Sequence, residues 1–384
     1  DCARGKEVGD KSMRRILITP EIKRLAYQYA KEMEDNDRFR KGKSPQERLR
    51  KLANDLRLSS TTIKVKVSKG CSGEYKGCEL VNPANYVQAI YDGYVGLNCL
   101  LPSEYDDVIG NKLERIISHT ILSNIRVNID SKNEHPFFEL IVDAMRYDKV
   151  QKDIMPGYIR KIGIKTCVYC NAQFATTAYL QSIKSTPKGM SVVEGSPVVC
   201  YELDHNKPKS HFPYLCTNFY NLQPSCSSCN RRKNDRSLQF SLYYESGDKN
   251  IRPLHFALRR EDLISFRTSN RYQNIKAYLC NNGEAVPPSM ADTTSIAGEF
   301  NTKLGIQDIY NEYSDMIEEI LWKHKIYSNG LTAALTKQLP SLGLSGFDIK
   351  RFILGGYFAK EKDFLKRPFS VLKEDIWEQL ENEY

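Results

Sequence analysis

The chain contains no apolar run near the roughly 20 residues that a membrane-crossing helix needs. No basic segment followed by an apolar stretch opens it, so no secretory leader is legible. Internal repeats and low-complexity tracts are missing as well, which sets aside a tandem-array architecture. Nor is there an even set of cysteines, since the count is 11. An odd number in a long chain without a leader argues against a disulfide framework and for reduced thiols in the cytoplasm.

What is present suits about two or three soluble domains, with 41% hydrophobic and 27% charged residues among 384. The net charge of +9 favours a polyanionic partner, although an excess of this size is also common in proteins that touch no nucleic acid. Residues 1–12 are polar and precede Met13 without an initiator methionine of their own. They read as a tail added for expression and take no part in the fold argument.

Helical signals dominate both flanks. Ser44-Pro45-Gln46-Glu47 has the form of a capping box with proline in the first turn, and Leu49, Leu52, Ala53 and Leu56 follow at helical spacing. Ile63, Val65 and Val67 alternate with Lys64 and Lys66 as a strand with one basic face. Cys71 and Cys78, with Gly73 and Gly77 between them, read as a loop with incidental thiols. One helix is expected over Leu113 to Asn124 and another from Phe137 to Met145 behind Pro136. In the last third, an apolar stripe from Ile306 to His324 predicts one helix of about five turns. Gly343, Gly346, Gly355 and Gly356 break the segment that follows, and Leu372, Ile376, Trp377 and Leu380 predict a final helix behind Pro368 and Ser370. The expected organisation is a mainly helical unit over residues 13–150, a central unit over 151–245 and a helical unit over 246–384.

The chemistry is concentrated between Cys167 and Arg236. Cys167-Val168-Tyr169-Cys170 and Cys226-Ser227-Ser228-Cys229 each have the spacing at which one tight turn offers two thiolates to one ion. Together they complete a tetrahedral Zn²⁺ site with no open position, which marks it as structural. The intervening Ala178 to Ser196 reads as a loop with little to form its own core, tied together by that metal. Val199, Tyr201 and Leu203 alternate with Cys200, Glu202 and Asp204 as a strand ending at Asp204-His205. Neighbours in a strand point to opposite faces, so for both side chains to serve one site the strand has to bulge or stop there. Phe219 to Leu222 reads as a second short strand and Cys229 to Arg236 as a helix, which gives a β-β-α order.

Leu203-Asp204-His205, Pro208-Lys209-Ser210, Asn221-Leu222-Gln223-Pro224 and Cys226-x-x-Cys229-Asn230-x-x-Lys233 resemble the HNH, or ββα-metal, endonuclease motif over about residues 166–236. The expected fold class is therefore α+β, a mostly helical chain around a zinc-stabilised ββα-metal core. The resemblance implies that Asp204 binds a catalytic divalent ion and that His205 is the general base. It implies that Asn221 holds the loop and orients that histidine. Asn230 stands where the final histidine of the motif stands, as in the variant with asparagine as second metal ligand. An amide oxygen is a hard, neutral ligand, so Mg²⁺ or Mn²⁺ is favoured over a transition metal. Lys209, Arg231, Lys233 and Arg236 are the candidates for nucleic-acid binding, with Lys233 one turn beyond Asn230. His211 matches no motif position and reads as a surface or phosphate-contacting residue.

Phosphodiester hydrolysis independently asks for these residue types. A histidine can take a proton from water near neutral pH, and a cation can neutralise charge on the phosphoryl and leaving oxygens. The expected function is divalent-metal-dependent cleavage of DNA, one strand per site. A nuclease acting on RNA, and a zinc-stabilised nucleic-acid-binding or scaffold subunit without activity, stay open as alternatives. A further similarity, resting on no single motif, is to HNH nucleases of bacterial anti-phage defence systems. It implies control by a protein partner such as an ATPase or a sensor.

Overall fold

The capping box forms as its residues dictate. Ser44 Oγ accepts the Glu47 N–H at 3.3 Å and the Glu47 carboxylate accepts the Ser44 N–H at 3.1 Å, while Pro45 fills the first turn, where a missing N–H leaves no bond unmade. In this computed structural model the chain is described at residues 15–34, 39, 43–58, 60–65, 81–106, 110–129, 133–186, 189–248, 252–271, 275–284, 292–327, 329–342, 349–355 and 364–382. The 1–12 tail, Lys66, Val67, the loop with Cys71 and Cys78, and Gly343, Gly346 and Gly356 lie outside the described residues.

The first part of the chain runs β1 (Ile16–Leu17), α1 (Pro20–Glu34), α2 (Pro45–Asp55), β2 (Thr62–Val65), α3 (Pro83–Cys99), α4 (Gly110–Ile116), α5 (His119–Leu122), β3 (Ile125–Asn128), β4 (His135–Pro136), α6 (Phe137–Ala144), α7 (Tyr147–Lys149) and α8 (Met155–Ile162). The middle holds β5 (Thr177–Thr186), β6 (Gly189–Val199), β7 (Glu202–His205), β8 (Leu222–Ser225), α9 (Ser227–Lys233) and β9 (Tyr243–Tyr244). The last part runs β10 (Leu254–Leu258), α10 (Arg260–Ser269), β11 (Ala277–Asn281), α11 (Ile296–Glu299), α12 (Ile306–Asn311), α13 (Ser314–Ile326), α14 (Asn329–Gln338), α15 (Ile349–Leu354) and α16 (Ser370–Asn382). The class is α+β, with helices on both sides of a small central β-hairpin.

Several elements differ from their sequence signals. Ala178 to Ser196 is not a loop, because β5 and β6 pair along their lengths as an antiparallel hairpin with a register shift between Tyr179 and Gln181. Its outer part leaves Ile183, Met190 and Val192 mostly exposed, so no burial pattern marks it in the sequence. The expected helix over Leu113 to Asn124 is two, α4 and α5, because Ser118 caps the second by accepting the Thr120 N–H. The stripe from Ile306 to His324 likewise divides into α12 and α13 at Glu312-Tyr313. The last third is not wholly helical, since β10 and β11 form an antiparallel pair. Gln379 of α16 serves as an edge for that pair, accepting the Leu258 N–H at 2.8 Å and donating to its carbonyl at 2.9 Å.

One apolar core extends from Ile16 to Leu380 and crosses the unit boundaries drawn near residues 150 and 245. β1 pairs in parallel with β9, Ile16 opposite Tyr243. Tyr29 of α1 packs edge-on to Tyr158 at 5.4 Å and gives its hydroxyl hydrogen to the Thr217 carbonyl at 2.6 Å. The segment joining β7 to β8 is bolted to the end of α3. There Asn218 donates to the Leu97 and Leu100 carbonyls at 2.7 and 3.0 Å, and Thr217 donates to Asn98 Oδ1 at 2.7 Å. These buried amides are matched by partners, so the segment behaves as core rather than as a surface loop.

Candidate active site and cysteine cluster

β7 and β8 pair without a bulge, with Glu202 opposite Ser225, Leu203 opposite Pro224, Asp204 opposite Gln223 and His205 opposite Leu222. The second strand therefore starts where the sequence signal at Phe219 to Leu222 ends, and residues 219–221 form the turn into it. α9 begins at Ser227 rather than Cys229, because Cys226 is its N-cap, with Sγ accepting the Cys229 N–H at 3.5 Å. β7 stops at His205, so termination rather than a bulge brings Asp204 and His205 to one cavity of about 630 Å³. Glu202, Lys209, Asn230, Arg231 and Lys233 also line it.

His205 is 7% exposed, and its Nε2 lies 3.0 Å from the Cys216 carbonyl. A carbonyl only accepts, so Nε2 carries the proton and Nδ1 keeps the lone pair, with no hydrogen-bond partner among the described residues. Burial, reinforced by the Lys209 charge, lowers the imidazole to about 3, so it is neutral at neutral pH. Asn221, fully buried, donates to the Lys207 and Leu215 carbonyls at 3.1 and 3.0 Å and accepts the Lys207 N–H at 2.7 Å. It thus clamps the two ends of the loop that follows His205.

Asp204 is buried, and burial pushes its carboxyl upward against the opposing pull of Lys233 and Tyr169. The Tyr169 hydroxyl donates to Oδ2, and Lys233 Nζ lies 3.1 Å from each carboxylate oxygen. Lys233 also donates to the His205 carbonyl at 2.7 Å. With 1% exposure it is the buried ion-pair partner of Asp204, a burial that the sequence did not signal. Arg236 turns back on the end of α9, donating to the Lys233 carbonyl at 3.2 Å and to that of Arg232. Lys209 and Arg231 are the two of the four basic candidates that face the cavity without an ion pair among the described residues. Asn230 donates its amide to Glu202 at 2.5 Å, which with Ser227 and Arg231 holds the Glu202 carboxyl below its usual range. His211 sits apart, 3.0 Å from the His119 carbonyl through Nδ1.

The donor chemistry suits a hydrated hard cation. A carboxylate has about four acceptor sites, so Asp204 keeps capacity beyond Tyr169 and Lys233, and Asn230 keeps its amide oxygen. Gln223, the cross-strand neighbour of Asp204, is fully buried with neither amide atom hydrogen-bonded.

The four cysteines meet. The Sγ atoms of Cys167, Cys170, Cys226 and Cys229 all lie within 4.8 Å of one another. Cys170 and Cys226 are 4.0 Å apart, far beyond a disulfide and close to the separation of about 3.8 Å set by zinc–sulfur bonds of about 2.3 Å in a tetrahedron. The first knuckle closes as Cys167 N donates to the Gln173 carbonyl at 2.9 Å and Ala172 N donates to Cys170 Sγ at 3.4 Å. Asn171 takes the left-handed turn there, with φ 52°. Its side chain accepts the Val371 N–H at 3.2 Å and donates to the Phe364 carbonyl at 2.8 Å, so the knuckle also seats the start of α16.

Two contributors were not legible. Tyr147, carried on α7, packs against His205, and nothing in its sequence neighbourhood signals that contact. Tyr169 stands in plain view inside the first Cys-x-x-Cys, but only the fold brings it to Asp204.

No helix among the described residues is long and apolar enough to cross a membrane. No curated protein and no solved structure matches the chain. The family model for HNH endonuclease matches residues 191–236, which contain β7, β8, α9 and the second cysteine pair. The chain thus carries an HNH endonuclease domain, with a four-cysteine cluster completed by residues from outside the matched segment.

Proposed function

We propose that the chain is a divalent-metal-dependent endonuclease that hydrolyses phosphodiester bonds in DNA, one strand at each site. The observation that carries this reading is the state of His205. Its Nε2 is pinned on the Cys216 carbonyl, and it lines the same cavity as Asp204 and Asn230. Nδ1 is then the atom that takes the proton of the attacking water. Asn221 keeps the loop beside the imidazole in register, and Lys209 and Arg231 offer cations to the phosphate backbone. Asp204 and Asn230 would hold Mg²⁺ or Mn²⁺, which supplies charge neutralisation at the phosphoryl and leaving oxygens. The four cysteines would hold a structural Zn²⁺.

The test is incubation of supercoiled plasmid with the full chain and Mg²⁺ or Mn²⁺, beside His205→Ala and with a structured RNA in parallel. Nicking by the parent chain, reduced by a factor on the order of 10²–10⁴ in His205→Ala, is the expected result. Equal cutting by His205→Ala removes the base assignment, and cleavage confined to the RNA replaces the substrate.

A further inference from the structure

Two side chains reach the Asp204 carboxylate, and each starts from one of the two cysteine pairs. Tyr169 lies between Cys167 and Cys170 and gives its hydroxyl hydrogen to Asp204. Lys233 lies one helical turn beyond Cys229. Tyr169 has little freedom to follow a moving carboxylate. Its ring is 1% exposed and packs edge-on against Phe240 and Phe300, each at 6.2 Å. The backbone beside it is tied down as well, since Val168 N donates at 3.1 Å to the carbonyl of Pro224 in the strand paired with β7. The cysteines on either side therefore fix where that hydroxyl stands. Tyr169 and the first cysteine pair lie outside the segment matched by the endonuclease family model.

We propose that the cysteine cluster, when it holds zinc, sets the affinity of Asp204 for the catalytic cation through Tyr169, which makes Tyr169 a positioning residue. This rests on the reading of Asp204 as a cation ligand. A carboxylate that accepts a hydrogen bond from a fixed hydroxyl has its orientation chosen before the cation arrives, so less freedom is lost on binding. The phenol does this without adding positive charge, unlike Lys233, and so does not compete with the cation. Because coupling between two binding events is reciprocal, a cation at Asp204 must tighten zinc binding by the same factor.

The experiment uses the full chain with Tyr169→Phe, Thr166→Val and Asp204→Ala. Thr166→Val removes a hydroxyl that accepts from Asn171 at 3.0 Å on the same knuckle. Zinc content is read by elemental analysis and Mn²⁺ binding by titration calorimetry without DNA. Tyr169→Phe is expected to keep parental zinc content while its Mn²⁺ affinity falls about tenfold or more. Thr166→Val is expected to keep both. In the parent chain, competition with a zinc-selective dye should show zinc held more tightly in saturating Mn²⁺, an effect absent from Tyr169→Phe. Parental Mn²⁺ affinity in Tyr169→Phe, an equal loss in Thr166→Val, or parental zinc affinity indifferent to Mn²⁺ each overturns the proposal. The last measurement needs no variant to fold. If Asp204→Ala binds Mn²⁺ as the parent does, the ligand reading of Asp204 has failed first.

Discussion

Tyr147 lays its ring against the imidazole of His205, centroid to centroid 4.8 Å, and gives its hydroxyl hydrogen to the Leu203 carbonyl at 2.8 Å. The same ring carries the Lys209 ammonium at 5.1 Å from its centroid. One aromatic side chain from α7 thus supports the proposed base and a proposed phosphate contact together.

Tyr147→Phe removes only the hydroxyl bond and is expected to cost about 1 kcal/mol in urea denaturation, with nicking preserved. Tyr147→Ala leaves a cavity beside His205, with an expected cost of about 3–5 kcal/mol. Its plasmid-nicking rate should fall on the order of a hundredfold as the imidazole loses its wall. Parental nicking by Tyr147→Ala would mean that the wall is dispensable.

Lys209 and Arg231 face the cavity, whereas Lys233 is buried against Asp204. Lys209→Ala or Arg231→Ala should each weaken DNA binding across all sequences and lower the slope of log affinity against log salt by about 1. Lys233→Ala should leave that slope alone. Fluorescence anisotropy at several salt concentrations separates the two cases, and a slope change in Lys233→Ala would place its charge on the phosphate after all.

Lys233→Met strands a buried carboxylate, and removing one partner of a buried pair costs about 3–5 kcal/mol. The double variant with Asp204→Asn should recover much of that loss, because no uncompensated charge is left. Thermal unfolding of the two single variants and the double variant measures the coupling. Additive losses would mean that the 3.1 Å contacts carry no energy.

Cys200 is exposed, whereas Cys167, Cys170 and Cys229 are buried and Cys226 is half-buried in the cluster. Native alkylation should mark Cys200 and leave the four cluster thiols intact until a strong chelator is added. Chelation should also lower the unfolding temperature, because zinc binding energy is part of the folding energy in such sites. Rapid labelling of Cys167 and Cys226 before chelation would remove the metal from the cluster.

Legibility in the sequence followed the range of each interaction. The Ser44–Glu47 box, the two Cys-x-x-Cys turns and the stop at His205 are each written in a few neighbouring residues, and each appears in the fold. The hairpin of β5 and β6 had no such signature, because its outer side chains face solvent and their alternation follows no core. The break at Glu312-Tyr313 carries no glycine or proline, so tertiary packing rather than a local breaker divides α12 from α13. Lys233 was legible as a motif lysine but not as a buried one, since its direction depends on Asp204 across the β-β-α unit. Tyr147 and Tyr169 act entirely through contacts distant in sequence, where periodicity is silent.

The parallel pairing of Ile16 with Tyr243 and Leu17 with Tyr244 has a consequence for the order of assembly. A chain leaving the ribosome presents β1 early, but the strand that completes it emerges only after the whole HNH segment has been made. Non-local pairings of this kind form late, after the entropy of a long loop has been overcome. The final closure of that pair therefore waits until residues 243–244 have been made. Asn171 adds a second delay, since the knuckle it turns is completed by contacts with Phe364 and Val371. The knuckle that carries Tyr169 is therefore complete only when the segment around residues 364–371 is in place.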